Sequence, residues 1–211
     1  PNFNDLYFGS SGNTELRPEF SDFRKVTLEH TFDQKNFLRL TYTDRKSQDM
    51  IQWDDQEQKP LNLSKTRRQC ITVFGKTPLK ALPFFLEGHF TLLNTRDEGD
   101  WKPLSYTPDR TGNIGFHFER RTIGWSLKVQ YTGKRRYTIT DYDENPFITT
   151  DQLMNEFICI SASFLYRPAF YEHRFDITFV IDNLFDKDIQ TIPGYPEPGR
   201  TFKLSLGYTQ P

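Results

Sequence analysis

The feature that most constrains the fold of this chain is a strict two-residue alternation of apolar and polar side chains. In the last long segment it puts Phe202, Leu204 and Leu206 on one face of a strand and Lys203 and Ser205 on the other. The sequence predicts an all-β fold of about nine long strands, in which neighbours along the chain pair antiparallel. The eight earlier segments with this period lie near residues 23–32, 38–43, 63–75, 84–92, 113–118, 125–132, 158–166 and 174–181.

The connections between these segments alternate between long and short. In an antiparallel sheet this alternation places all the long loops at one end and all the short turns at the other. A transmembrane β-barrel has this arrangement, with strands of about 9–11 residues. The strands of a soluble β-sandwich are shorter, at about 5–6 residues. The pattern therefore favours an antiparallel transmembrane β-barrel segment. The long stretches are 1–20, 46–61, 95–109, 138–152 and 183–200.

The two faces of the predicted sheet also suit a barrel in a membrane. We expect the apolar set on the convex, lipid-facing side and the polar set on the concave side, against a watery lumen. A packed soluble core would bury many charges, each at a large cost in free energy. The apolar set comprises Phe202, Leu204, Leu206, Phe175, Ile177, Phe179, Ile158, Ile160, Leu127 and Val129, and the polar set comprises Lys203, Ser205, Asp176, Ser161, Lys128 and Gln130. Trp125, Tyr131, Tyr166 and Tyr208 lie near strand ends, where aromatic girdles meet the membrane interfaces.

Charge and cysteine content narrow the classes of function. The chain has 27 basic and 28 acidic residues, a net charge of −1, so the sequence indicates no nucleic-acid partner. Two cysteines, Cys70 and Cys159, are too few for a disulfide framework and are interpreted as unrelated thiols. The sequence contains no phosphate-binding loop and no nucleophile motif, so we expect no enzyme activity and no cofactor.

The histidines and the charged clusters give only weak evidence for a metal, cation or lipopolysaccharide site. The four histidines, His30, His89, His117 and His173, lack metal-ligand spacing, so we expect no metal site. The acidic stretch 141–145 could bind a cation, but solvated charge is the favoured interpretation. The basic cluster Lys134-Arg135-Arg136 lies at the long-loop end of its strand, where it would meet lipopolysaccharide phosphates or else be solvated.

Two motifs carry a family resemblance. One is Asn183-Leu184-Phe185-Asp186-Lys187 followed by Gly194-Tyr195-Pro196-x-Pro198-Gly199-Arg200 and the terminal alternating strand; the other is Gly12-Asn13-x-x-Leu16-x-Pro18-Glu19. In this order they closely resemble the corresponding parts of TonB-dependent outer-membrane receptors. The first resembles the end of the receptor barrel, and the second an external loop that precedes a strand.

The resemblance implies that residues 1–211 are one domain, the C-terminal part of a twenty-two-stranded barrel without its plug domain. It implies a location in the outer membrane of a Gram-negative-type bacterium and gated import of a scarce ligand, such as a ferric siderophore or cobalamin. The implied partners are outer-membrane lipid and lipopolysaccharide, the metal-chelate or vitamin ligand, and the TonB energising complex, which acts through the plug.

The same resemblance assigns candidate sites. The external loops would bind ligand, with Trp101, Tyr142, Tyr195 and Arg200 as candidates. The motif residues Gly12, Asn13, Pro18, Glu19, Asn183, Leu184, Phe185, Asp186, Gly194, Pro196, Gly199 and Arg200 would have structural roles. For Arg200 the favoured role is to anchor its loop by a charge-assisted hydrogen bond.

Two other interpretations remain open at this point. The chain could be a complete small outer-membrane barrel, such as a porin or an adhesin, or it could be a soluble β-sheet binding protein or a glycosidase-like domain. The sequence opens at Pro1 without an initiator Met or a signal peptide, so we expect a fragment whose start lies upstream. Members of the family usually end in an aromatic residue on the final strand, whereas here three more residues, to Pro211, follow Tyr208. In such a fragment the strand at 23–32 would not pair with the strand at 201–209, whereas in a closed small barrel it would.

Overall fold

The structure is a computed structural model that describes residues 2–7, 9–33, 35–54, 57–79, 83–99, 101–141, 148–170 and 173–209. A short helix α1 (Phe3–Tyr7) and a 3-10 turn (Gly9–Ser11) precede a chain of strands. The strands are β1 (Phe20–Asp33), β2 (Asn36–Asp54), β3 (Lys59–Leu79), β4 (Phe84–Asp97), β5 (Arg110–Glu119), β6 (Ile123–Thr132), β7 (Arg135–Asp141), β8 (Ile148–Met154), β9 (Phe157–Tyr166), β10 (Ala169–Phe170), β11 (His173–Asp182), β12 (Gln190–Ile192), β13 (Tyr195–Pro196) and β14 (Thr201–Thr209).

Nine long strands form one antiparallel sheet in the order β1-β2-β3-β4-β5-β6-β9-β11-β14. The short strand β10 pairs with the start of β11, while β7–β8 and β12–β13 form separate two-stranded hairpins. The predicted all-β class, the nine strands and the antiparallel pairing of neighbours are therefore confirmed. Among the described residues, no helix has the length and apolarity to cross a membrane.

The register keeps the two faces of the sheet apart from one edge to the other. Tyr42 lies opposite both Val26 and Ile71, and at the far edge Leu206 lies opposite Ile177. Polar side chains line up in the same way on the other face, where hydroxyl pairs link neighbouring strands, such as Thr72 with Thr91 at 2.9 Å. The predicted separation of the apolar and polar sets is confirmed, and the convexity of the apolar face stays a prediction.

The apolar face has no layer packed against it among the described residues. Leu204 and Leu206 are 66% and 74% exposed, and Leu16 and Ile189 are the described hydrophobic residues that are buried. A soluble sheet protein would cover such a face with a second layer to form a core. The described strands form one large sheet and two small hairpins, so the soluble interpretation does not fit them.

The connections fall at two ends, which we name the loop end and the turn end. Residues 2–7, 9–19, 57–58, 98–99, 101–109, 133–141, 148–156 and 183–200 lie at the loop end, and residues 35, 83, 120–122 and 167–170 lie at the turn end. The predicted sidedness of long and short connections is confirmed by this order of antiparallel strands.

Several of the long stretches differ from the irregular loops that the sequence predicts. Within 46–61, β2 runs to Asp54 and β3 begins at Lys59, so that most of this stretch is paired strand. The hairpin β7–β8 overlaps the stretch 138–152, and the hairpin β12–β13 lies within 183–200. Backbone hydrogen bonds do not require apolar side chains, so these ladders continue through sequence in which the alternation has ended.

The turn that the sequence places at Arg167-Pro168 also differs. These two residues separate β9 from β10, and the chain reverses only after Phe170. Pro168 lacks an N–H and cannot donate to the ladder, which explains an interruption here.

The sheet does not close on itself. In the part of the chain that the structure describes, β1 pairs only with β2, and β14 pairs only with β11. The prediction that the strand at 23–32 does not pair with the strand at 201–209 is confirmed. The complete small barrel does not fit this topology, because closure would require that pairing.

Candidate functional site

The N-terminal segment is fastened to the β2–β3 hairpin at the loop end. Asn13 Nδ2 donates to the carbonyl oxygen of Pro60 at 2.9 Å, and the Ile51 N–H donates to Glu19 Oε1 at 2.7 Å. Leu16, between them, is buried. Gly12 and Pro18 belong to the same short segment, which crosses the hairpin before β1 begins.

Asn62 in β3 extends this fastening, and sequence reasoning missed it. Its Oδ1 accepts from the Arg17 N–H at 2.9 Å, and its Nδ2 donates to the carbonyl oxygens of Arg17 at 3.0 Å and Asp49 at 2.6 Å. Arg17 also forms an ion pair with Asp49. Asn62 lies in a polar stretch without alternation, so no signal in the sequence identifies it.

The loop between β11 and β14 begins with a clamp made by Asn183, which is 5% exposed. Asn183 Nδ2 donates to the Lys187 carbonyl at 2.7 Å, and the Lys187 N–H donates to Asn183 Oδ1 at 2.9 Å. The Leu184 N–H donates to the carbonyl of Ile160 at 2.7 Å, which ties the loop to β9. Phe185 is 71% exposed at the tip of this turn.

The far end of the same loop returns to Asp186. Its Oδ1 accepts from the backbone N–H of Arg200 at 2.7 Å. A Cβ at position 199 would lie 2.6 Å from this oxygen, so the contact requires glycine there. The Arg200 guanidinium has no hydrogen-bond or ion-pair partner among the described residues. The charge-assisted hydrogen bond that anchors the loop is therefore donated by the backbone N–H of Arg200, and the charge is that of Asp186.

Between these two ends the loop folds into the β12–β13 hairpin. Gly194, in the turn, has φ of 79°, in the left-handed region that favours glycine. Pro196 pairs with Gln190, and the Glu197 N–H donates to the carbonyl of Ile189 at 2.8 Å. Ile189 is buried, and Tyr195 is 72% exposed.

The hairpin rests on Arg135, which the sequence interpretation treats as surface charge. Arg135 is 3% exposed and therefore meets neither lipopolysaccharide nor bulk water, contrary to that expectation. Its Nη2 and Nη1 donate to the carbonyls of Gln190 at 3.2 Å and Thr191 at 3.4 Å. Burial lowers the pKa of Arg135, because desolvation disfavours its charged form.

Loop 98–109 packs against the β7–β8 hairpin. The Tyr106 N–H donates to the Arg136 carbonyl at 2.7 Å, and the rings of Tyr106 and Tyr137 stack at 6.1 Å. Trp101 is 65% exposed, and the Arg96 guanidinium lies 4.4 Å from its ring centre. The Tyr106 contacts join loop 98–109 to the β7–β8 hairpin, and the Trp101 contact joins the loop to β4.

A polar cavity of about 260 Å³ lies where the β2–β3 hairpin, loop 98–109 and the β7–β8 hairpin meet. Its wall combines acidic, basic and hydroxyl side chains, which can hydrogen-bond a polar ligand. The lining residues are Gln52, Asp97, Lys102, Pro103, Leu104, Ser105, Arg136, Tyr137, Thr138 and Asp151.

The residues predicted to bind ligand do not form a single contiguous group. Trp101, Tyr195 and Arg200 are all exposed at the loop end, and no contact joins them within the described part of the chain. Tyr142 lies outside the described residues. So do 143–145 of the acidic stretch.

Histidines and cysteines stand apart from these loops. The His117 ring stacks on Phe85 at 4.5 Å, and its Nε2 lies 3.4 Å from Glu87 Oε1. Cys70 and Cys159 are free thiols, as predicted. The described residues contain no group of three or more His, Cys, Asp or Glu that could hold a metal ion.

The sequence matches the model of a protein family described as TonB dependent receptor-like, beta-barrel, over residues 1–184. A curated relative, the vitamin B12 transporter BtuB of Vibrio cholerae serotype O1, is 25% identical over 99% of this chain. The chain spans 32% of the length of that relative.

Solved structures with the same fold cover most of this chain. The copper transporter OprC superposes with a TM-score of 0.74 at 16% identity, covering 98% of this chain and 34% of that one. The ferric enterobactin receptor PfeA of Pseudomonas aeruginosa, as its G324V mutant, has a TM-score of 0.71 at 20% identity, covering 92% and 32%. The siderophore receptor PirA of Acinetobacter baumannii has the same TM-score and the same coverages at 16% identity. These likenesses establish the fold alone.

Proposed function

The chain belongs to the TonB-dependent receptor family, and we propose that it forms part of the wall and mouth of an outer-membrane transporter. The transporter imports a scarce ligand that is too large for porins, and a ferric siderophore or cobalamin is the ligand class. The similarity of the chain to a vitamin B12 transporter and to siderophore receptors supports this class. Transport, and not catalysis, is the activity of this family.

The single observation that carries the proposal is the unbroken separation of faces across nine paired strands. An apolar face 66% exposed at Leu204 and 74% exposed at Leu206 is costly in water and favourable in lipid. Lipid also demands that every backbone group be paired, a demand that the long antiparallel ladders meet between β1 and β14. The polar face then borders an aqueous lumen.

In this proposal residues 1–211 act as one domain, the C-terminal part of the barrel. The loop-end surface captures ligand, with Trp101, Tyr142, Tyr195 and Arg200 as the candidate contacts. A plug domain, energised by the TonB complex, opens the path, and the ligand passes along the polar face. The residues of this chain bind, orient and enclose the ligand without changing its covalent structure.

Lipopolysaccharide is the proposed lipid partner, and the apolar face supports it through the position of its cations. On this face the described strands carry lysine and arginine only near the loop end, next to the apolar band that ends at Tyr42, Ile71 and Leu92. Lipopolysaccharide phosphates at that level would pair with such side chains. The cations are Arg24, Lys46, Lys59, Lys65, Arg67, Arg96 and Arg110.

The lipid proposal is tested with the double variant Lys46→Gln/Lys65→Gln in the protein encoded by the natural gene. Neither lysine has an ion-pair partner among the described residues, so folding should be unaffected. We expect less lipopolysaccharide to co-purify with this variant, while Lys25→Gln, on the polar face, leaves the amount unchanged. Equal amounts in all three proteins would refute the assignment.

Ligand import is tested by deleting the natural gene and measuring uptake of a panel of radiolabelled ferric siderophores and cobalamin. We expect the deletion to abolish uptake of one ligand, and loss of the TonB protein to have the same effect. Restoration by the natural gene is the control. Unchanged uptake across the whole panel would reject this ligand class.

A further inference from the structure

Arg135, the first residue of β7, has an unusual environment for an arginine at the loop end of the sheet. It is 3% exposed, and no acidic side chain pairs with it among the described residues. Its Nε is buried without any hydrogen-bond partner. A guanidinium removed from water without a carboxylate carries a desolvation penalty, so a structure that retains one there must gain something from its position.

The surroundings of Arg135 belong to four separate segments. Its backbone bridges Pro108 and pairs with Met154, and its guanidinium lies 5.1 Å from the ring centre of Phe157. Its two Nη groups reach the carbonyls of Gln190 and Thr191 in β12. Loop 98–109, β8, the start of β9 and the β12–β13 hairpin therefore meet at one side chain.

We propose that Arg135 is a positioning residue that fastens the β12–β13 hairpin to the other loops and so sets the place of Tyr195 at the ligand-binding mouth. The planar fork of arginine suits this role, because two N–H groups reach two successive carbonyls while the flat face lies against a ring. Lysine offers a single ammonium on a flexible stem and cannot reproduce that geometry. The part that concerns ligand rests on the proposed function.

The hydrogen bonds between Arg135 and the β12–β13 hairpin can open while the base of the loop stays in place. The two hydrogen bonds are long, at 3.2 and 3.4 Å, and opening would return the guanidinium, with its unpaired Nε, to water. The base of the loop is held independently by Asn183 and Asp186. Opening would therefore lift the hairpin without releasing the loop from the barrel.

The test uses the full-length receptor in outer-membrane vesicles and the variants Arg135→Met and Arg135→Lys. Lys134→Met is the matched control, because Lys134 is exposed and its pairing with Glu156 is long, at 3.8 Å. Hydrogen exchange of the amides in residues 188–198 measures opening of the hairpin. We expect both Arg135 variants to raise that exchange about tenfold, as loss of one to two net hydrogen bonds predicts, while Lys134→Met leaves it unchanged.

Ligand binding supplies a second readout, with radiolabelled cobalamin and ferric enterobactin as probes. For the probe that the receptor takes up, we expect about tenfold weaker surface binding in Arg135→Met and an unchanged uptake rate at saturation. A merely destabilised barrel would instead lower the amount of heat-modifiable folded receptor and the saturated rate together.

The outcomes separate this inference from the proposed function. Faster exchange with neither probe bound would support the fastening and count against the ligand class. Uptake of a probe with unchanged exchange in Arg135→Met would overturn the fastening alone. Wild-type exchange in Arg135→Lys would also overturn it, because charge and not the fork would then suffice.

Discussion

The carboxylate of Asp186 accepts a hydrogen bond from the backbone N–H of Arg200 at 2.7 Å and so closes a loop between two residues 14 apart in sequence. The Asn183 clamp precedes this contact, and Gly199 provides the space for it. Together they hold the two ends of the loop side by side, where β11 ends and β14 begins. The hairpin that bears Tyr195 projects from this base.

Replacement of Asp186 by alanine should loosen the base of this loop. A hydrogen bond to a charged acceptor contributes about 1.5–3 kcal/mol, so we expect limited proteolysis within 183–200 to become at least about tenfold faster. Asp188→Ala is the control, since Asp188 is exposed and has no partner among the described residues. Equal cleavage rates in the two variants would show that the Asp186 contact does not hold the loop.

Replacement of Asn62 by alanine should release the N-terminal segment from the β2–β3 hairpin. The variant loses an acceptor for the Arg17 N–H and donors to two carbonyls, at a net cost of about 1 kcal/mol for each bond. Proteolysis within residues 12–19, or hydrogen exchange of their amides, measures the release. Asn94→Ala, an exposed asparagine on the next strand, should leave both unchanged.

The sequence predicts a strand wherever one face of the sheet is apolar and the other polar, because the side chains then alternate with a period of two residues. Phe202, Leu204 and Leu206 alternate with polar residues because one face of the sheet is apolar and the other polar, so pattern alone predicts their strand. Asn62 and Arg135 lie beyond the apolar band, where backbone ladders and single side-chain contacts determine the structure. Such contacts join residues far apart in sequence, and Arg135 has the same local appearance as its solvated neighbour Lys134.

The orientation of β14 can be tested with one charge placed on either face. Leu206→Arg puts a cation on the apolar face, at a cost of about 2–4 kcal/mol if that position is near the middle of the membrane. Ser205→Arg places the same charge on the polar face, where water is present. We expect the heat-modifiable, folded receptor to decrease for the first variant and to persist for the second. The reverse result would contradict the assignment of faces.

The sidedness of the connections predicts where trypsin cuts intact cells. Lys134 and Lys187 lie at the loop end, whereas Arg120 and Arg121 lie in the turn between β5 and β6. We expect trypsin to cut after the first pair and not after the second. A protease that does not require a basic residue, such as proteinase K, should cut within 138–152 but not within 168–173. Permeabilised cells provide the control, because both ends become accessible there. Cleavage at both ends in intact cells would refute a membrane between them.

The free edges of the sheet make a strong prediction for the 211-residue chain produced alone. All residues of β1 are exposed, and β1 and β14 each leave one side of their backbone unpaired by any described strand. Unpaired edges are costly in lipid, where water cannot replace the missing partners, and in water they template association with other chains. The exposed apolar face strengthens that association. We therefore expect the chain alone to aggregate on refolding into detergent, as measured by light scattering after size-exclusion chromatography. The product of the natural gene should remain monodisperse under the same conditions. A monodisperse, folded 211-residue species would mean that β1 and β14 find partners in each other after all, and the open sheet would not be the stable state of this chain.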